Sequence, residues 1–247
     1  MTIHGHRLGV QSWCFRTYRT HDDVIAALGR CGLDALELCG VHLDVTDATA
    51  VDTALARYAA AGIAITSFGI SGFSTDEAAA RPLFAFAQRA GIAALGADFG
   101  ADALPLLERL CDETGVKLAI HNHGRKHRLG NFQQLDAIFA QASMNIGLCL
   151  DTAWMLDAGE DPIAAVERYG DRLYGVHIKD FTFRHDGSPE DVIVGTGNLD
   201  LPRLFVTLAA VGFSGYTTLE YEGDEQNPVP AVKQCVAALA ALDKEPV

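Results

Sequence analysis

The sequence predicts a single (β/α)8 barrel spanning residues 1–247, and three observations carry that prediction. Eight short apolar runs of strand length recur along the 247 residues, and stretches of helical periodicity lie between most of them. Gly32, Gly62, Gly91 and Gly115 each close a helical turn just before an apolar run, which is a helix-stop signal. No long linker or low-complexity segment interrupts the alternation, and a 49% hydrophobic content suits one large core. An open doubly wound sheet is the alternative that the same alternation permits.

In chain order the strands fall at 8–15 (LGVQSWCF), 34–39 (DALELC), 63–70 (IAITSFGI), 92–98 (IAALGAD), 116–122, 146–151, 172–179 and 216–222. The helices between them have readable starts. Thr20 with Asp23, and Ser74 with Glu77, stand at capping-box spacing, and Asp161 precedes Pro162 at a first helical position. The segment from Phe181 to Leu199 is long for a strand-to-helix connection and rich in Gly, Asp and Ser, which suits a lid or loop over a site.

Composition narrows the class of partner. A formal charge of −13 repels phosphate backbones and anionic membranes, so nucleic acid and lipid are not expected. No apolar run reaches ~18 residues, and MTIHGHRLGV lacks a charged region followed by an apolar stretch. The expectation is therefore a cytoplasmic protein without a membrane span or signal peptide. The six cysteines form no C-x-x-C pair and read as buried small hydrophobes.

The chemistry-bearing residues gather at the ends of the later strands, where the loops of a barrel converge. LAIHNHG ends in His121 and His123, GLCLD in Asp151, VHIKD in His177 and Lys179, and TLEYE in Glu220 and Glu222. His121, Asp151, His177 and Glu220 are four metal-ligand types at four successive strand ends, and together they can share one divalent cation. Each has a plainer alternative: Asp151 as a helix cap, His177 as a core histidine, Glu220 as one of two carboxylates needing a positive partner. Because strand side chains alternate, His121 and His123 share a face; His121 is read as the ligand and His123 as a substrate contact or proton carrier. Gly175, beneath His177, leaves room for substrate or metal. The run GRKHRLG (124–130) is the concentrated basic patch, either a grip for an anionic group or a solvated face or subunit contact. Homo-oligomerisation stays open.

The order of strand ends, the HIKD segment, the run DTAWMLDAGEDP from Asp151 to Pro162, and the terminal LEYE resemble the xylose isomerase-like sugar phosphate isomerase/epimerase superfamily. The resemblance runs from VQSWCF to NPVPAVKQCV. It implies a metal-dependent (β/α)8 barrel using Mn²⁺, Mg²⁺, Co²⁺ or Zn²⁺, with Asp151, His177 and Glu220 as ligands and Mn²⁺ as the first expectation. Two departures matter. His121 stands where most members carry a glutamate, and the run I-H-N-H-G looks like the subgroup of 3-keto-glycoside lyases and 3-keto-2-hydroxyglucal hydratases. Trp154 stands where many members have a substrate-touching histidine, and offers an apolar platform for a sugar face. The resemblance also places Glu37, at the end of the second strand, as a candidate substrate-contacting or catalytic carboxylate, with a buried ion pair as the alternative. His42 and Lys179 complete the candidates, His42 for substrate and Lys179 for an oxyanion or an ion pair. The implied chemistry is removal of a proton next to a keto group, with a cation stabilising the enediolate. With one glutamate and histidines, a lyase or hydratase acting on a keto-sugar is the better fit. A ketose isomerase or epimerase is the alternative, a catalytically inactive sugar-binding barrel a lesser one, and an abasic-site endonuclease is disfavoured by the missing basic surface.

Overall fold

The computed structural model describes residues 1–242. Eight barrel strands are present: β1 (His6–Gln11), β2 (Ala35–Leu38), β3 in two pieces (Ala64–Phe68 and Ser71–Phe73), β4 (Ala94–Phe99), β5 (Lys117–His121), β6 (Ile146–Asp151), β7 (Leu173–Ile178) and β8 (Tyr216–Leu219). All neighbouring pairs are parallel, and β8 pairs with both β7 and β1. The first piece of β3 pairs with β2 and the second with β4, so the pairing runs round from one half of the third strand to the other. Close approach there depends on Gly69: a Cβ would lie 2.7 Å from the Gly96 carbonyl oxygen. This is the predicted (β/α)8 architecture rather than an open doubly wound sheet.

The helices lie between strands: α1 (His21–Cys31), α2 (Ala48–Ala60), α3 (Glu77–Ala90), α4 (Leu104–Thr114), α5 (Phe132–Phe139), a short α6 (Thr152–Asp157), α7 (Pro162–Tyr169), α8 (Leu201–Ala210) and α9 (Val229–Leu242). Thr20 caps α1 and Asp161 caps α7 ahead of Pro162, as expected. Asp76, not Ser74, caps α3: its carboxylate accepts from the Ala78 and Ala79 amides, and a carboxylate immediately before the first helical residue displaces the serine. Gly32, Gly62, Gly91 and Gly115 all hold positive φ, the left-handed conformation that ends a helix without a Cβ penalty.

Several strand boundaries differ from the sequence reading, three of them beside the site. β1 stops at Gln11 because Ser12–Phe15 winds into a 3-10 turn capped by the Gln11 side chain. β5 stops at His121, which puts His123 in the following loop, and β8 stops at Leu219, which puts Glu220 and Glu222 just past the strand. The Phe181–Leu199 segment is not a plain loop. Asp180–Phe183 and Pro189–Val192 form an antiparallel hairpin, and the Asp180 carboxylate accepts from the Gly195, Gly197 and Leu199 amides behind it. All six cysteines are free and buried. Among the described residues no helix is long and apolar enough to cross a membrane.

Candidate active site

Four strand ends converge on one buried cluster. One ligand atom each from His121, Asp151, His177 and Glu220 lies within 4.8 Å of the others. His121 Nε2 stands 3.1 Å from His177 Nδ1 and 3.5 Å from Asp151 Oδ2, while His177 Nδ1 is 2.8 Å from Glu220 Oε2. Register explains the meeting, because His121 pairs with Cys149 and Asp151 with His177 across parallel strands. Asp151 plays both roles that the sequence offered as alternatives. Its Oδ1 accepts the Trp154 amide at 2.8 Å and caps α6, leaving Oδ2 buried without a hydrogen-bond partner among the described residues. An orphaned carboxylate oxygen beside two imidazole nitrogens and a second carboxylate is a donor set that fits a divalent cation.

The electrostatics agree with that fit. Burial pushes Asp151 up to about 6, and burial followed by the His177 charge pushes His121 down to about 3. His177 moves the other way: burial alone would lower it, but the Cys149 and Glu37 side chains outweigh that and raise it. Burial alone would raise Glu220, yet Lys179 and His177 hold it well below the ordinary carboxylate range. The Glu37 and Glu220 carboxylates on either side of the His177 ring favour its charged form.

Two members of the cluster are also positioned from behind. Glu37 Oε2 lies 2.6 Å from His177 Nε2, both fully buried, so Glu37 takes the buried pairing that the sequence offered as the alternative to a catalytic carboxylate. This carboxylate–histidine arrangement fixes the ring and leaves Nδ1 for the cluster. Asn122, missed in the sequence, donates from Nδ2 to the Asp151 carbonyl and accepts the Asp151 amide on Oδ1. The only signal for it was a polar residue between two histidines at a strand end. Thr152 was missed too; its hydroxyl donates to the Lys179 carbonyl at 2.6 Å and accepts the Lys179 amide at 3.0 Å.

Above the cluster opens a cleft of about 500 Å³, lined by Gln11, Trp13, Gly69, Ile70, His121, His123, Trp154, Glu220 and Glu222 among others. His123 stacks edge-on against His121 with centroids 4.6 Å apart, and its Nδ1 is buried without a hydrogen-bond partner among the described residues. Burial, then the neighbouring His121, lowers it to about 4, so it is a neutral base at pH 7. Lys179 is fully buried, in contact with the Glu222 carboxylate, 3.8 Å from Asp191 and 4.0 Å from Glu220. Burial opposes its charge, but Glu220, Asp151, Glu222 and Asp191 outweigh it and raise its pKa. Trp154 lies on the cleft wall, with the Lys179 ammonium 5.5 Å from its ring centroid and the Phe181 edge against it. His42 does not line the cleft: its Nε2 meets the Phe15 carbonyl at 3.1 Å and the ring is half-buried under that turn. The room expected beneath His177 is also filled. A Cβ on Gly175 would lie 2.2 Å from the Tyr216 ring, so the glycine makes space for packing and not for a ligand.

The basic run is largely neutralised by its own surroundings. Arg125 pairs with Asp157 and Arg128 with Asp98, which consumes two of its guanidinium groups.

The family model described as xylose isomerase-like TIM barrel matches residues 97–244. The inosose dehydratase of Geobacillus kaustophilus is 28% identical over 140 residues, covering 50% of this chain and 44% of that protein. The chain spans about half the length of the curated relatives it matches. Among solved structures, the IOLI protein with a bound zinc atom superposes with a TM-score of 0.75 at 18% identity, covering 96% of this chain and 97% of that one. The 3-keto-D-glucoside 4-epimerase YcjR of E. coli superposes with a TM-score of 0.72 at 17% identity, covering 96% and 99%. At these identities the likeness to the solved structures is one of fold.

Proposed function

The chain belongs to the xylose isomerase-like TIM barrel family, and on that premise we propose that it is a divalent-metal-dependent lyase or hydratase acting on a keto-sugar of the 3-keto-glycoside type. The observation that supports this most is the asymmetry of the cleft. Of its two carboxylates, Glu222 is held by Lys179 and by the Trp13 indole N–H at 3.0 Å, while Glu220 belongs to the cluster. That leaves His123 as the proton carrier facing substrate. One carrier suits removal and redelivery of a single proton, whereas isomerisation through two opposed glutamates needs a partner that this site lacks among the described residues.

A cation held by His121 Nε2, Asp151 Oδ2, His177 Nδ1 and Glu220 would polarise the keto oxygen and the hydroxyl beside it. Two imidazoles with two carboxylates admit Mn²⁺, Co²⁺, Zn²⁺ or Mg²⁺, and Mn²⁺ is the first ion to load. His123 takes the C2 proton as the C–H bond breaks, and the electron pair moves toward the keto oxygen. The pair then returns to expel the C1 substituent, and the leaving oxygen receives the proton from the His123 imidazolium; hydration is the reverse with water. Trp154 gives the sugar an apolar face, and the Lys179 ammonium favours the ionised form of Glu220. Glu37 acts as a positioning residue through His177. Inosose dehydratases among the relatives support an elimination reaction.

The test is to incubate the Mn²⁺-loaded protein with 3-keto-glucosides in D₂O and follow the reaction by NMR. C2–H exchange with release of the aglycone is expected. His123→Ala should slow product formation by roughly 10²- to 10⁴-fold while metal stoichiometry is retained. Efficient epimerisation of a free ketohexose without elimination from any 3-keto-glycoside would overturn this reading and favour the isomerase.

A further inference from the structure

We infer that the substrate occupies the site as two joined rings, the keto-sugar in the cleft over the cluster and a neutral, ring-shaped aglycone in a second cavity beside it. This rests on the function proposed above, because only a glycoside has an aglycone. The second cavity, about 590 Å³, is bounded by the 123–127 loop, by Trp154 and Asp157, and by the hairpin turn from Asp186 to Pro189. His123 and Trp154 belong to both walls, so the two spaces meet at the group that would carry the proton to the leaving oxygen. Each space is in the range that holds a small-molecule ring.

The wall is built rather than accidental. The Arg125 amide donates to Asp157 Oδ2 at 2.9 Å, its guanidinium donates to Oδ1 at 3.1 and 2.7 Å, and Nη2 also donates to the Gly187 carbonyl at 2.9 Å. One arginine thereby ties the loop after β5 to α6 and holds the hairpin turn over the cavity. Gly124 lets the loop lie flat against this assembly, since a Cβ there would sit 2.1 Å from Asp157 Oδ2 and 2.8 Å from the Trp154 ring. The I-H-N-H-G run therefore ends in glycine for a reason that concerns this second space.

Charge selects the occupant. Arg125 and Lys126 on the wall are matched by Asp157 and Asp186, and most of the wall is carbon, so an anionic group finds no net attraction. Of the two readings of the basic run, a grip for an anionic group finds no support in this balance. Lys126 makes no ion pair or hydrogen bond among the described residues and offers a donor to a hydroxyl or bridging oxygen. A neutral ring with an apolar face, either aromatic or a second pyranose, matches that wall.

The experiment is equilibrium binding of unoxidised glycosides to the Mn²⁺-loaded protein, measured by calorimetry with methyl glucoside, phenyl glucoside, cellobiose and a phosphorylated phenyl glucoside. Phenyl glucoside or cellobiose should bind at least about tenfold tighter than methyl glucoside, and the better of the two identifies the ring. Ser188→Trp, which fills the cavity from the hairpin, should remove that advantage, and the exposed Lys126→Trp does the same from the opposite wall should the first variant not fold. Equal binding of the methyl and larger glycosides, an advantage that survives both variants, or tightest binding of the phosphorylated probe would overturn the inference. Turnover in D₂O is read separately, so a failed reaction with the binding pattern intact counts against the proposed chemistry and not against the second subsite.

Discussion

The two ends of the barrel interior use the same strands but are filled in opposite ways. Toward the bottom, Gly175 and Gly147 leave spaces that the rings of Tyr216 and Tyr174 occupy; a Cβ on Gly175 would lie only 2.2 Å from the first ring, and one on Gly147 only 2.4 Å from the second. Ala94, Ala119 and Cys149 pack with the two tyrosines. Two residues further along the same strand faces, the side chains become Asp151 after Cys149, His177 after Gly175 and His121 after Ala119. Small residues and aromatic rings interlock by shape toward the bottom, while the top carries two buried carboxylate oxygens without a hydrogen-bond partner among the described residues, Asp151 Oδ2 and Glu37 Oε1. A strand with period two can therefore carry packing at one level and chemistry at the next, and substitutions at the two levels should fail differently.

The sharpest test of that contrast is Asp151→Ala or His177→Ala. Either should abolish stoichiometric metal binding and activity with circular dichroism close to that of the parent, and Asp151→Ala should also lower the denaturation midpoint by the loss of the α6 cap, about 0.5–2 kcal/mol. Full metal occupancy in both variants would erase the distinction between the two levels. A smaller effect is expected behind His177. Glu37→Gln keeps a hydrogen-bonding side chain against His177 Nε2 but removes the charge, so metal affinity should fall about 10- to 100-fold in a metal-competition titration. An unchanged affinity would mean that Glu37 serves packing alone.

At the bottom the readout changes from function to stability. Gly175→Ala forces a methyl group against the Tyr216 ring, and overpacking of this kind costs about 1–3 kcal/mol, seen as a lowered urea midpoint with metal stoichiometry intact. Loss of metal binding without loss of stability would invert the comparison. The smallest effect belongs to the surface between α3 and α4. Glu77 is hydrogen-bonded by Arg109 and then Arg81, and its carboxyl is held at about 2 against the usual 4.5. A lowered folded-state pKa contributes stability that is complete above the ordinary pKa and is lost as pH falls from about 4.5 to about 2. Glu77→Gln should shallow the stability loss over that interval only slightly, because solvent screens an exposed pair. An acid-unfolding curve that moves more than the Gly175→Ala curve would contradict this ranking.

The sequence by itself determined the alternation of strands and helices, the glycine stops, and which residue types stand at strand ends. These are local properties: hydrophobic period, left-handed caps and alternation act over a few residues and need no knowledge of distant partners. The metal-type residues were legible for the same reason, since His121, Asp151, His177 and Glu220 each close an apolar run. Only the tertiary structure decided what each side chain meets. Glu37 and His177 are 140 positions apart and touch because barrel closure brings β2 opposite β7. Tyr216 fills the space of Gly175 because β8 and β7 pair those two residues directly. Arg125 is spent on Asp157 and Gly187 because the loop, the short helix and the hairpin converge over one cavity. Register and closure are global properties, so a residue's partner, and with it the difference between a ligand, a support and a filler, was fixed only when all eight strands were in place.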